Sequence, residues 1–195
     1  MNIYSKKNKL KLIIVDFDNT LFFTNDINFK SYQKVFNYYN IKLTKKNFDT
    51  YAGLSKHLFY KKIFKKKPFV IKTVFDMKKK YYKKNINLIK PNHLLIDFLK
   101  KIKNQKVKIA LVSNASKYSI YLVLKKFRME KFFNAILTSD DVSKTKPSPN
   151  AFKKILKMLK INSKNSIVID DNKIGLIAAK KCNIQSMILS TTKKI

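Results

Sequence analysis

Arginine is nearly missing from this sequence. Of 44 basic residues only Arg128 is arginine, and the rest are lysine. Glycine is reduced to Gly53 and Gly175, tryptophan is absent, and Cys182 is the one cysteine. A single cysteine excludes an internal disulfide and a multi-cysteine metal site. The shortage of arginine argues against a nucleic-acid surface, because the planar guanidinium fork is the usual instrument of bidentate phosphate and base recognition there. No apolar run approaches the roughly 18 residues that a membrane-spanning helix needs. Near the N-terminus, lysines precede an apolar stretch that runs only from Leu12 to Val15 before Asp16 arrives, too short for a signal peptide. The expectation is a soluble cytoplasmic protein with no membrane partner.

Acids are also scarce. Eleven of them against 44 basic residues leave a formal charge of +33. Lys, Asn, Ile, Phe and Tyr are abundant together, and these are the residues of A/T-rich codons, so coding bias accounts for the charge. A nucleic-acid partner is disfavoured on the arginine argument, although the charge keeps it open. Whatever its origin, the field concentrates small anions near the protein. Nothing signals an oligomeric interface. With 195 residues, 45% of them hydrophobic, the chain has enough material for one core domain plus a small insertion.

Hydrophobic periodicity divides the chain. Leu10 to Val15 reads as a buried strand. From about residue 28 to 87, aromatic and aliphatic residues recur three and four apart, which predicts amphipathic helices. The lysine runs at 61–67 and 78–84 read as solvated helix faces. Pro91 is expected to open a further helix, in a position proline tolerates. Strands and helices then alternate through KIALVS, AILTS, SIVID and QSMILS. That alternation predicts parallel βαβ units, hence a doubly wound α/β core with a helical insertion after its first strand. The expected division is 1–24 with 91–195 as core, and 25–90 as a helical cap.

In open parallel sheets, ligands bind beyond the carboxyl ends of the strands. Those ends carry Asp16-Phe17-Asp18-Asn19-Thr20, Ser113-Asn114, the loop Lys144 to Pro149, and Asp170-Asp171-Asn172. Taken singly, each has a structural explanation: strand-end acids make turns and caps, Ser113 could cap a helix, and Lys146 is one lysine among 43. Together they are harder to dismiss, because four of only eleven acids fall at two strand ends of one sheet. Crowded carboxylates repel, and a divalent cation compensates them. An oxygen-only ligand set suits Mg²⁺.

DFDNTL, SNAS, TKPSP and VIDDN, in this order, resemble the four motifs of the haloacid dehalogenase-like hydrolase superfamily, from Leu12 to about Ile184. The helical insertion resembles the cap of its phosphoglycolate phosphatase and β-phosphoglucomutase-like branch. The resemblance implies a magnesium-dependent phosphatase acting on a small phosphorylated metabolite, such as a sugar phosphate, phosphoglycolate or a nucleotide monophosphate. It implies that Asp16 is the nucleophile and that Asp18 is the general acid and base. Thr20 orients the loop in the phosphate-binding set. Ser113, the Asn114 backbone and Lys146 bind the phosphoryl group. Asp16, the Asp18 carbonyl and Asp171 hold Mg²⁺, with Asp170 as a further ligand. Asn19 stands where many relatives carry glycine, and asparagine tolerates the positive φ such a turn needs.

Gly53, rare in so glycine-poor a chain, marks a special backbone position. With Lys56 it resembles the cap loop that reaches the substrate, although a plain helix–helix turn capped by Ser55 explains the same residues. Three other functions fit parts of the pattern. A phosphomutase would use the same chemistry with a second substrate as acceptor. A phosphatase of nucleic-acid ends would use the charge. A non-enzymatic binding protein could keep the fold alone.

Overall fold

Leu12–Val15 forms strand β1, four apolar residues buried on both sides. Such a run suits the centre of a parallel sheet covered on both faces. The computed structural model describes residues 9–51, 54, 56–64 and 70–189. Within them β1 is flanked by β4 (Lys108–Val112) and β6 (Ser166–Asp170), and then by β5 (Ala135–Leu137) and β7 (Gln185–Ile188). All four neighbouring pairs of the five-stranded sheet, ordered β5-β4-β1-β6-β7, are parallel.

Alternate strand residues point to opposite faces, and two separate cores result. Ile13, Val15, Ile109 and Leu111 pack against Leu95, Ile96 and Leu99 of α5 (His93–Asn104) and Ile120, Val123 and Leu124 of α6 (Lys117–Lys126). Leu12, Ile14, Ala110 and Val112 pack instead against Ala151, Phe152 and Ile155 of α7 (Asn150–Leu159) and Ala178 and Ala179 of α8 (Lys173–Lys180). This is the doubly wound α/β sheet that the alternation predicts.

Four helices follow the first strand: α1 (Asn25–Tyr38), α2 (Lys45–Tyr51), α3 (Lys56–Phe64) and α4 (Ile71–Lys84). They enclose a third, aromatic core in which Phe36, Phe48, Phe59, Tyr60 and Phe64 pack with Val35 and Val74. Ring pairs such as Tyr32–Phe59, with centroids 4.5 Å apart, hold α1 on α3.

Two expectations need correction. Pro91 does not open a helix. It lies in the two-residue strand β3 (Lys90–Pro91), antiparallel to β2 (Phe22–Phe23), and α5 begins after Asn92, whose side chain accepts from the Leu95 amide. The two connections between the sheet and the four helices therefore run side by side. A two-stranded ladder leaves Pro91 no inner pairing to disrupt. Nor is the run at 78–84 a wholly solvated face. Lys78 is 7% exposed and Tyr82 1%. Both follow Val74 at intervals of four, on the stripe that α4 turns inward.

Candidate active site

Parallel register brings the chemistry to one edge. Val15 is level with Leu111 and Ile169, so the residues that follow β1, β4 and β6 emerge together. Asp16, Asp18, Ser113, Asn114, Lys146, Asp170 and Asp171 all line one cavity of about 250 Å³ at that edge. The structure thus assembles these seven sequence-identified residues from four separate segments.

Lys146 lies at the centre. Its ammonium, 4% exposed, donates to Asp16 Oδ1 at 2.6 Å, to Asp170 Oδ2 at 2.7 Å and to the Val112 carbonyl at 3.3 Å. Burial alone would lower its pKa, but the Asp16 and Asp170 carboxylates outweigh burial and hold it above the ordinary lysine value. Lys146 is a cation at any physiological pH. The loop bearing it is anchored by Asn114, whose side chain bonds both the amide and the carbonyl of Lys146. That side-chain role is distinct from the backbone contact expected of Asn114.

The acids are not caps. The N-cap of α8 is Asn172, whose side chain accepts from the Ile174 amide at 3.0 Å. Asp170 Oδ1 accepts from the Asn172 amide at 2.9 Å, and this turns its other oxygen toward Lys146. Gly175, in the first turn of α8, gives that carboxylate its space: a Cβ there would lie 1.9 Å from Asp170 Oδ2. The N-cap of α6 is likewise Ser116, not Ser113, whose hydroxyl accepts from the Ala115 amide at 3.1 Å.

Thr20 is fully buried beneath the carboxylates, away from the cavity wall. Its hydroxyl accepts from the Asp171 amide at 3.0 Å, approaches Asp171 Oδ1 at 3.2 Å and lies 3.5 Å from Asp16 Oδ2. Thr20 therefore joins the β1 loop to the β6 loop. Asn19 has φ of 57°, the left-handed conformation anticipated for it. Its side-chain oxygen accepts from the amides of Thr24 and Asn25, which fixes the approach to α1.

Sequence reasoning missed the two groups that hold Asp18. The Thr24 hydroxyl donates to Asp18 Oδ1 in a short hydrogen bond, and Asn28 Nδ2 donates to the same oxygen at 3.3 Å. Both residues lie within ten positions of Asp18, at the start of α1, and that proximity was the available signal. From the helical segment, Gly53 lies outside the described residues, as does the side chain of Lys56, whose backbone opens α3.

Carboxylate oxygens of Asp16, Asp170 and Asp171 can all lie within 4.8 Å of one another. Three carboxylates around one lysine leave an excess of negative charge. Burial, reinforced by Asp170 and Asp171, pushes the Asp16 carboxyl well above its ordinary range, against the pull of Lys146. Burial and Asp170 push Asp171 up to about 6. A buried, oxygen-only cluster short of positive charge is what a hard divalent cation relieves, so the donor set fits Mg²⁺. No described helix is long and apolar enough to cross a membrane.

A family model for haloacid dehalogenase-like hydrolases matches residues 13–189. Pyrophosphatase PpaX of Bacillus mycoides is 23% identical over 187 residues, which are 95% of this chain and 86% of that protein. The β-phosphoglucomutase of Clostridium difficile superposes with a TM-score of 0.80 at 25% identity, over 91% of this chain and 83% of its own. A predicted phosphoglycolate phosphatase from Haemophilus somnus gives a TM-score of 0.82 at 19% identity, over 91% and 84% of the two chains. With the family model spanning nearly the whole chain, and the same sheet beneath it, this protein belongs to the haloacid dehalogenase-like hydrolases.

Proposed function

We propose that this protein is a Mg²⁺-dependent phosphatase that hydrolyses a small phosphorylated metabolite through an aspartyl-phosphate on Asp16. The observation that carries the reading is the Asp16 carboxylate on the cavity wall, held by Lys146 at 2.6 Å and crowded by Asp170 and Asp171. The matched relatives are named as a pyrophosphatase, a phosphoglycolate phosphatase and a phosphoglucomutase, all handlers of phosphoryl groups. Residues 25–90 act as a cap that excludes water from a core formed by 1–24 and 91–195.

Asp16 attacks phosphorus, and the bond from phosphorus to the ester oxygen breaks. Protonated Asp18 gives its proton to that departing oxygen. Thr24 and Asn28 hold Asp18 Oδ1, which leaves Oδ2 as the proton-carrying atom. Water then attacks the phosphorus on Asp16 and loses a proton to Asp18, and the Asp16–phosphorus bond breaks. Inorganic phosphate leaves, and both aspartates return to their starting states. Ser113 and the Asn114 amide bind the phosphoryl oxygens, and Lys146 neutralises their charge. Asp16, Asp171 and the Asp18 carbonyl, with Asp170 beside them, would hold Mg²⁺, which when bound supplies the positive charge that lets a carboxylate approach a phosphate dianion.

Hydrolysis of para-nitrophenyl phosphate by purified protein tests the reading. Activity should require Mg²⁺, disappear on chelation and fall at least about 1,000-fold in Asp16→Asn, as loss of a nucleophile demands. Equal rates for Asp16→Asn and the parent would end it. A panel of phosphorylated metabolites then identifies the substrate.

A further inference from the structure

The helix that follows the catalytic loop is capped in an unusual way. Thr24 stands at the N-cap position of α1, where a threonine hydroxyl ordinarily accepts from an amide of the first turn. Here it makes no such bond. The Thr24 side chain is buried, and its hydroxyl donates to Asp18 Oδ1 instead. The start of α1 is left with amides in need of an acceptor.

Asn19 supplies the acceptor from outside the helix. Its Oδ1 accepts from the Thr24 amide at 3.2 Å and from the Asn25 amide at 3.1 Å, and its Nδ2 donates to Asn25 Oδ1 at 2.7 Å. Its backbone is fixed separately, at φ of 57°, with its own amide donating to the Phe22 carbonyl at 2.7 Å. Asn19 and Asn25 both border the catalytic cavity, so this cap sits beside the reacting atoms. Asn28, in the next turn of α1, donates to the same Asp18 oxygen at 3.3 Å. Both groups that hold Asp18 therefore belong to the stretch of chain that Asn19 secures. Glycine at position 19 would meet the backbone requirement and make none of the three side-chain bonds.

We propose that Asn19 is a positioning residue for the general acid and base: by closing the end of α1, its side chain releases the Thr24 hydroxyl to hold Asp18. The proposal rests on the phosphatase reading for the role of Asp18. The Thr24 side chain serves one purpose at a time, since the rotamer that meets Asp18 does not cap α1. Without the Asn19 side chain the amides of Thr24 and Asn25 lose their acceptor, and the hydroxyl is drawn back to its ordinary capping role. Asp18 Oδ1 then loses its short bond and the carboxyl turns. Oδ2 no longer presents its proton to the departing oxygen from a fixed place.

Leaving groups of different basicity read the acid directly, because a general acid matters most when the departing oxygen is basic. Para-nitrophenyl, phenyl and benzyl phosphate carry similar rings and departing oxygens of rising basicity. Their kcat/KM values in Mg²⁺ are compared for the parent and its variants. This quantity stops at formation of the aspartyl-phosphate and so excludes the later attack by water. Asn19→Gly keeps the positive φ. Its ratio of benzyl to para-nitrophenyl phosphate should fall by about 10- to 100-fold, part of the about 100- to 10,000-fold that a general acid supplies. Thr24→Val should lower the ratio by a similar factor, and adding Asn19→Gly to it should lower the ratio no further, because both act through one bond. Asn19→Asp keeps the two accepted bonds and tolerates the same φ, so its ratio should stay within about 3-fold of the parent while its charge slows all three esters alike. An equal loss on the three esters in Asn19→Gly is the mark of a merely structural role and overturns the proposal. So does an Asn19→Asp ratio as low as that of Asn19→Gly, or a double variant whose losses add. A parent that cleaves none of the three esters ends the phosphatase reading and the proposal with it. A parent that cleaves them with a ratio indifferent to Asn19 leaves the phosphatase reading standing and removes the proposal alone.

Discussion

The side chain of Asn114 is bonded in both directions to the backbone of Lys146, its Nδ2 donating to the carbonyl at 3.0 Å and its Oδ1 accepting from the amide at 2.9 Å. The pair ties the end of β4 to the loop before α7, and so sets where the Lys146 ammonium stands between Asp16 and Asp170. Asn114→Ala frees that loop. A misplacement of a charge-neutralising group by about 1 Å costs on the order of 100-fold in rate, so kcat/KM on para-nitrophenyl phosphate should fall by about 10- to 100-fold. Asn114→Asp keeps the bond from the Lys146 amide and loses the other, and should fall between the two. Rates within twofold of the parent in both variants would show that the anchor is dispensable.

Gly175 is a steric requirement rather than a conformational one. It is helical, and a methyl group there would lie 1.9 Å from Asp170 Oδ2. Asp170 cannot give way freely, because its two oxygens are committed to Lys146 and the Asn172 amide. Gly175→Ala should therefore destabilise the protein by about 1–3 kcal/mol, as overpacking does. Urea denaturation measures the loss. The Mg²⁺ concentration for half-maximal activity should rise at the same time, because Asp170 moves. An unchanged urea midpoint together with unchanged Mg²⁺ dependence would contradict the contact.

The Thr20 hydroxyl links two loops that are 151 positions apart in sequence. Thr20→Val keeps the shape and removes the link, leaving the Asp171 amide without its acceptor. Loss of a buried partner of this kind costs about 1–3 kcal/mol. The valine variant should also need more Mg²⁺ for half-maximal rate, and Thr20→Ser should restore both properties. If Ser and Val behave alike, the methyl packing of Thr20 matters and its hydroxyl does not.

How much of this was legible in the sequence depends on where the determining contact lies. The strands β1, β4 and β6 announce themselves as short apolar runs, and in a parallel sheet their ends must share an edge. Asp16, Ser113 and Asp170 were therefore legible without coordinates. So was Asn19, because asparagine is one of the few residues at ease with φ of 57°. Pro91 was not, because it pairs with Phe22, almost 70 residues earlier, and no local pattern encodes that partner. The side-chain anchor between Asn114 and Lys146 is hidden for the same reason. Lys78 is a different case. It is embedded in a lysine run that suggests a solvated face, but Val74 and Tyr82 four residues to either side place it on the buried stripe of α4. Helical spacing outranked charge at this position.

That burial makes Lys78 a liability in the free protein, with a consequence that depends on pH. Burial lowers its pKa to about 8 from the usual 10.5, and the charge of Asp18 opposes the shift only in part. The phenols around it are pushed upward, away from that window. Burial raises the Tyr32 and Tyr82 hydroxyls well above 10, and Tyr60 on α3 is pushed up to about 12. Between about 8 and 10.5 the unfolded chain binds the lysine proton more tightly than the folded one, so the contribution of Lys78 to stability rises with pH across that interval. Below about 8 its cost is present in full and amounts to about 3 kcal/mol. Lys78→Met removes the charge and keeps most of the volume. At pH 7 the variant should be more stable than the parent by up to that amount, and the gain should shrink steadily from pH 8 to pH 10. Urea midpoints of both proteins at pH 7, 8, 9 and 10 supply the comparison, and titration of the other lysines cancels in the difference. A gain that stays constant with pH would assign it to packing rather than to a buried ammonium. A gain that fades as the lysine neutralises would assign the cost to the buried charge of Lys78.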